Sequence, residues 1–200
     1  MARLGILGGT FNPPHVAHLV CAQEALVALE LDAVALMPVG SPPHKHIEHD
    51  PGTRHRLALC ERAVEGNDRL RVLRLDADRA GPSFTVDTLR VLHAREPEHE
   101  LTFIVGGDMA LSFPEWREPE AILELARLGV AEREGVRRAD IAERLSGLRG
   151  ATDRVRFFDM PRLDVSSSQL RWRVASDRPV RYLVPDGVAR YIADEGLYRS

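Results

Sequence analysis

Short apolar runs alternate with helix-period stretches along the whole chain. No other feature of the sequence constrains its fold as strongly. Leu4–Leu7, Ala33–Val39, Leu70–Leu75, Leu101–Val105, Leu128–Ala131 and Val155–Phe158 read as strands. His15–Glu30, Arg54–Glu65, Val86–Ala94, Glu118–Arg127, Ala139–Leu148, Ser167–Ala175 and Val188–Glu195 read as helices. Strands this short and apolar are buried on both faces, which implies a parallel sheet covered by helices on each side. Parallel neighbours need right-handed crossovers, and the helices supply them. The expected architecture is a doubly wound α/β fold. No repeat, low-complexity tract or linker divides residues 1–200, so one domain is expected. Ligands in such folds sit at the carboxyl ends of the strands, near the switch in strand order. The loops Gly40–Gly52 and Asp76–Phe84 are long enough to be functional rather than connective.

The opening stretch, Leu4 to Leu19, carries the first chemical signal. An apolar run ends in Gly8-Gly9, and Thr10-Phe11-Asn12-Pro13-Pro14 leads into His15-Val16-Ala17-His18 and a helical pattern. Gly8 and Gly9 let the backbone approach a ligand closely. Asn12 suits an N-cap, and Pro13 or Pro14 the first helical position. His15 and His18 fall on one face of the first turn. A helix N-terminus offers unpaired N–H groups and positive potential, and two imidazoles beside it add donors, so this is a place to hold phosphate. Neither G-x-G-x-x-G nor G-x-x-x-x-G-K-[ST] is present.

A second signal lies at Val165-Ser166-Ser167-Ser168-Gln169-Leu170-Arg171. Serine hydroxyls and helix-start amides can face an anion, and Arg171, one turn on from Ser168, adds a fixed charge suited to two phosphate oxygens. The two signals together suggest opposing jaws on a polyphosphate.

The net charge is −3, from 27 basic and 30 acidic residues, which argues against a duplex nucleic acid held by bulk charge. Small anionic substrates need only local positive groups. Cys21 and Cys60 fall in expected helices and read as buried thiols in a reducing compartment. No stretch resembles a signal peptide or a membrane span, so the cytoplasm is the expected location, with no membrane partner. His44, His46, His49 and His55 lie close together with Glu48 and Asp50, but their spacing matches no standard zinc pattern, and no metal ligands are assigned.

His15-Val16-Ala17-His18 behind its glycine loop resembles the signature of the HIGH-type nucleotidyltransferases, with Ala17 where Gly is more usual. Val165–Arg171 resembles the I-S-S-T-x-x-R signature of the bacterial nicotinate mononucleotide adenylyltransferases. Further stretches resemble that family in order along the chain: Gly8–His15, Pro42-Pro43-His44-Lys45, Arg56-Leu57-Ala58-Leu59, Ser83–Leu89, Gly106-Gly107-Asp108 followed by Trp116, and Tyr191-Ile192 to Leu197-Tyr198. The resemblance implies a Rossmann-like fold and transfer of the adenylyl group of ATP to nicotinate mononucleotide, giving deamido-NAD and pyrophosphate. It implies His15, His18, Ser168 and Arg171 as catalytic groups on the phosphates. It implies Gly8, Gly9, Thr10, Phe11, Lys45, Thr85, Gly106, Asp108, Trp116 and Ser167 as substrate-binding, with Thr85 at the nicotinate carboxylate and Trp116 stacked on the pyridine ring. Mg2+ is expected to arrive with ATP. Two departures stand out: Arg117 follows the Trp where the family often has an aromatic residue, and Arg133-Glu134-Gly135 lacks the Pro of the family's R-P-G turn. Two alternatives remain, an enzyme preferring nicotinamide mononucleotide and a non-catalytic nucleotide sensor. Oligomeric state is left open.

Overall fold

The protein is described from a computed structural model, which covers residues 1–41, 47–79, 81–132 and 136–199. In chain order the elements are β1 (Arg3–Gly9), α1 (Val16–Ala28), β2 (Ala33–Pro38), α2 (Thr53–Val64), β3 (Leu70–Val72), α3 (Thr85–Arg95), β4 (Glu100–Gly106) and α4 (Gly107–Ser112). A 3-10 turn (Phe113–Glu115) leads to α5 (Pro119–Leu125), β5 (Arg127–Glu132), α6 (Arg138–Leu145), α7 (Ala151–Arg154), β6 (Val155–Asp159), α8 (Ser167–Ala175) and α9 (Asp186–Asp194).

The strands form one six-stranded sheet in the order β3-β2-β1-β4-β5-β6, and every pairing is parallel. The order reverses between β1 and β4. This is the Rossmann-like doubly wound arrangement expected from the alternation of elements.

Side chains alternate across the sheet and supply a core on each face. Leu4, Ile6, Met37, Phe103, Val105, Leu128 and Val130 pack with Val86, Leu89, Ile122, Leu123 and Ile141 from α3, α5 and α6. Leu7, Val34, Leu36, Ile104 and Ala131 pack on the other face with Cys21, Ala22, Ala25, Leu26 and Cys60 from α1 and α2. A third cluster joins Leu59 and Ala63 of α2 to Leu170, Val188, Ile192, Leu197 and Tyr198. It seats the C-terminal helices beside α2. Neither cysteine is in a disulfide, and burial pushes the Cys60 thiol far above its ordinary range. No described helix is long and apolar enough to cross a membrane.

Several boundaries differ from the sequence expectation, each for a physical reason. Gly8 and Gly9 belong to β1, paired with Met37 and Pro38, because the register with β2 continues past Leu7. A Cβ on Gly8 would come 2.9 Å from the Phe103 ring, and one on Gly9 3.0 Å from the Phe11 ring. Those glycines therefore make room for aromatic packing at the sheet's end. The N-cap of α1 is His15, not Asn12, and both prolines precede the helix. Asn12 is buried and spends its side chain on distant chain segments. Strand β3 ends at Val72, where its partner register with Leu36 runs out. Strand β4 runs on to Gly106, one residue past the expected Val105, and Gly107 starts the short helix α4.

Candidate active site

A parallel βα arrangement puts the N-terminus of each following helix at the same end of the sheet. Four such termini converge here: α1 through His15, Ala17 and His18, α3 through Phe84 and Thr85, α4 through Gly106 and Asp108, and α8 through Ser166 and Ser167. All border one cleft of about 920 Å³ above β1 and β4, at the switch in strand order. Each helix start carries about half a positive charge, so a protein of net charge −3 has an anion-attracting centre. Gly8, Gly9, Thr10 and Trp116 line the same cleft.

The two histidines are held as a unit. Their rings stack with centroids 3.8 Å apart, and the His15 backbone N–H donates to His18 Nδ1 at 3.2 Å. With Nδ1 accepting, the neutral His18 ring carries its proton on Nε2, so that nitrogen is a donor. The Phe11 ring meets His18 edge-on at 5.0 Å. Phe11 is buried behind the loop and supports the imidazole rather than bordering the cleft.

Asn12 is the hub of the loop between β1 and α1. Its Nδ2 donates to the Glu48 carbonyl at 3.0 Å, and its Oδ1 accepts from the Tyr198 hydroxyl at 2.7 Å. Its backbone carbonyl accepts from Arg171 Nη1 at 2.9 Å, while the neighbouring Pro13 carbonyl accepts from Ser167 Oγ at 2.8 Å. These bonds pin the first turn of α8 to the start of α1 and bring the two phosphate signals together across more than 150 residues. The three serine hydroxyls have separate duties. Ser166 caps α8 by accepting from the Gln169 N–H at 3.2 Å, Ser167 holds Pro13, and Ser168 accepts from Arg171 Nη2 at 3.1 Å. Ser168 and Arg171 stand behind Ser167 rather than on the cleft wall. Arg171 Nε is buried and has no hydrogen-bond partner among the described residues, a donor in reserve.

On the far wall, Thr85 is the first residue of α3, after Phe84 as N-cap. One turn into α3, the Thr88 hydroxyl donates a hydrogen bond to Asp76, which is only 4% exposed. Burial pushes the Asp76 carboxyl above its ordinary value, against the lowering effects of the Thr88 hydrogen bond and the nearby Arg79 charge. The Asp76 carbonyl lies against Gly40, where a Cβ would collide with it, and the two long loops also meet where the Ser83 N–H donates to the Ser41 carbonyl at 2.9 Å. Trp116 packs against Phe113 and Phe103, with ring centroids at 5.3 and 6.0 Å, and its Nε1–H donates to Ser112 Oγ at 3.3 Å. It is both packed against the core and part of the cleft wall. Asp108 lies in the first turn of α4, exposed and bordering the cleft, and its side chain does not cap that helix.

Sequence reasoning did not assign Arg56 a role. It is fully buried and spans several loops at the strand ends. Its Nη1 donates to the carbonyls of Val39 (2.5 Å) and Thr10 (3.3 Å), its Nη2 to the Gly40 carbonyl (3.0 Å) and Thr53 Oγ1 (3.1 Å), and its Nε to Asp50 Oδ1 (3.0 Å). The available signal was its place one residue before Leu57 on the inward, otherwise apolar face of α2. Lys45 lies outside the described residues, as do His44, His46 and Arg133. Of the remaining histidines of that group, His55 lies in α2 and contacts the Tyr191 hydroxyl at 3.0 Å, away from the cleft. Among the described residues, no group of three or more His, Cys, Asp or Glu side chains could hold a metal.

Comparison with known proteins gives the family and the fold. The cytidylyltransferase-like family model matches residues 6–173. A Thermomicrobium roseum protein named "Probable nicotinate-nucleotide adenylyltransferase" is 41% identical over 200 residues, which cover 100% of this chain and 93% of the relative. A Roseiflexus protein of the same name is 43% identical over 198 residues, covering 99% and 98%. The solved structure of Plasmodium falciparum nicotinic acid mononucleotide adenylyltransferase complexed with NaAD superposes with a TM-score of 0.78 at 16% identity. The match covers 99% of this chain and 98% of that one, a likeness of fold.

Proposed function

The chain belongs to the nicotinate-nucleotide adenylyltransferases of the cytidylyltransferase-like family, and from that membership and the cleft we infer that it transfers the adenylyl group of ATP to nicotinate mononucleotide. The products are deamido-NAD and pyrophosphate. The observation that carries the reading is the meeting of the His15–His18 turn with the first turn of α8 over one cleft.

The reaction needs little covalent help from the protein. A phosphate monoester has a second pKa near ~6, so the attacking group is largely dianionic at neutral pH and needs no general base. One of its oxygens attacks the α-phosphorus in line, and the bond to the bridging oxygen of pyrophosphate breaks. The barrier lies in bringing two anions together and in carrying charge away on the leaving group, so positioning and fixed electrostatics do the work. His18 Nε2 donates to the α-phosphate, and His15, stacked on it, keeps it in place. The α1 and α8 N-termini hold the triphosphate between them. Arg171 turns from the Asn12 carbonyl toward the leaving pyrophosphate, using its uncommitted Nε. Thr85 receives the nicotinate carboxylate at the start of α3, and Trp116 stacks on the pyridine ring. For Lys45 a role at the phosphates rests on the family motif alone. A divalent metal such as magnesium would arrive with ATP, held mainly by phosphates and water rather than by side chains of this chain, and would offset charge on the phosphates.

The test is pyrophosphate release from Mg-ATP with nicotinate mononucleotide and nicotinamide mononucleotide in parallel. The expected result is turnover with a preference for the acid of ~100-fold or more in kcat/KM. Equal rates with the two would keep adenylyl transfer and remove the acid-specific site. Release with neither, alongside ATP binding by calorimetry, would replace the enzyme with a nucleotide sensor.

A further inference from the structure

Arg117 borders the cleft between Trp116 and the start of α3. Its guanidinium carbon lies 4.8 Å from the centroid of the Phe84 ring, and Phe84 is the N-cap of α3. The planar cation is thus laid on an aromatic face beside the positive end of a helix. Among the described residues its ion-pair partners are Asp87 and Glu118. Asp87 Oδ2 is 3.6 Å away and Glu118 Oε1 3.8 Å, both beyond hydrogen-bonding distance. Both acids have a closer or equal claim from Arg90, which holds Glu118 through two contacts of 3.2 and 2.5 Å and lies 3.6 Å from Asp87. Glu118 sits at a left-handed φ of 52° as the N-cap of α5, so the chain turns sharply just after Arg117. Arg117 makes no hydrogen bond among the described residues and is half exposed. It is a cation whose place is set by stacking and whose donors remain uncommitted.

We propose that Arg117 is a specificity-determining residue that pairs with the carboxylate of the pyridine substrate and so favours the acid over the amide. This rests on the adenylyl-transfer reading above. Guanidinium and carboxylate match as two parallel N–H···O bonds, which a neutral carboxamide cannot reproduce. The long contacts to Asp87 and Glu118 are solvent-exposed and weak, so little opposes the turn toward a substrate. Stacking on Phe84 limits the orientations the side chain must lose on binding.

The experiment measures kcat/KM for nicotinate and nicotinamide mononucleotides with wild type, Arg117→Gln and Arg117→Lys. The acid-to-amide ratio should fall roughly tenfold in Arg117→Gln, on the scale of one charge-assisted pair, and by less in Arg117→Lys, which keeps the charge without the planar fork. In wild type the KM for the acid should rise with added salt more steeply than in Arg117→Gln. A residue that merely shapes the turn would lower both substrates in parallel and leave the ratio and the salt slope unmoved, and that result overturns the proposal. Wild type inactive with both substrates would instead overturn the reaction itself, and the proposal with it.

Discussion

At the scale of single residues, the site depends on side chains whose donors are set by a neighbour. His18 is the clearest case. The His15 N–H occupies Nδ1, which makes Nε2 the donor, while the Phe11 edge and the His15 ring hold the imidazole plane. That arrangement is fixed before substrate arrives, which is what transition-state stabilisation by a hydrogen bond requires. His18→Ala should therefore lower kcat by at least roughly tenfold with a native circular-dichroism spectrum, the size of one transition-state contact. Turnover equal to wild type would remove His18 from the chemistry. Trp116 illustrates a shared duty: one part of the indole packs on Phe113 and Phe103 and another borders the cleft, so its core and binding roles are not alternatives.

At the scale of elements, the start of α3 is governed by a buried carboxyl. Asp76 accepts from the Thr88 hydroxyl one turn into α3, and burial raises its pKa. A carboxyl whose folded pKa lies above its unfolded value contributes stability at low pH and loses that contribution as pH rises through the folded value. Asp76→Asn keeps an acceptor for Thr88 and cannot ionise. The stability of the variant relative to wild type, from urea midpoints, should therefore improve from about pH 4 to about pH 7. A gap that stays flat or moves the other way would show that Asp76 is not a buried ionising group. The four helix starts around the cleft are likewise an element-level property: no single one would hold a triphosphate, and their convergence follows from parallel βα connectivity.

At the scale of the whole molecule, residues from both ends of the chain close on Asn12. Tyr198 donates to its Oδ1, Arg171 to its carbonyl, and the loop at Glu48 accepts from its Nδ2. Burial pushes the Tyr198 phenol far above its ordinary range, so it remains a donor at any physiological pH. Tyr198→Phe leaves Asn12 Oδ1 buried without that donor, and should cost about 1–3 kcal/mol in urea unfolding. No change in midpoint would mean that Oδ1 finds water or another partner. Buried Arg56 plays the matching part at the other strand ends, joining the chain at Thr10, Val39 and Gly40 to Asp50.

Much of this protein was legible from its sequence by itself, because the information was local. Apolar runs of strand length alternating with helical periods dictated a parallel sheet, since only burial on both faces satisfies such strands. All six expected strands exist, with shifted ends, the helix Ser167–Ala175 formed with the expected bounds, and His15 and His18 share one turn because helical spacing requires it. The short helices α4 and α7 were missed, being too brief to show a period. What tertiary structure alone decided was partnership at a distance. The spacing of Ser166, Ser167 and Ser168 could not reveal that one caps its own helix, one holds Pro13 and one steadies Arg171. Nor could it reveal that Asn12 abandons the helix cap for Tyr198, or that Arg56 turns inward to bind three carbonyls. A polar side chain far from its partner in sequence leaves no periodic trace. Its donors are assigned only when the fold removes water and each buried group must find a partner.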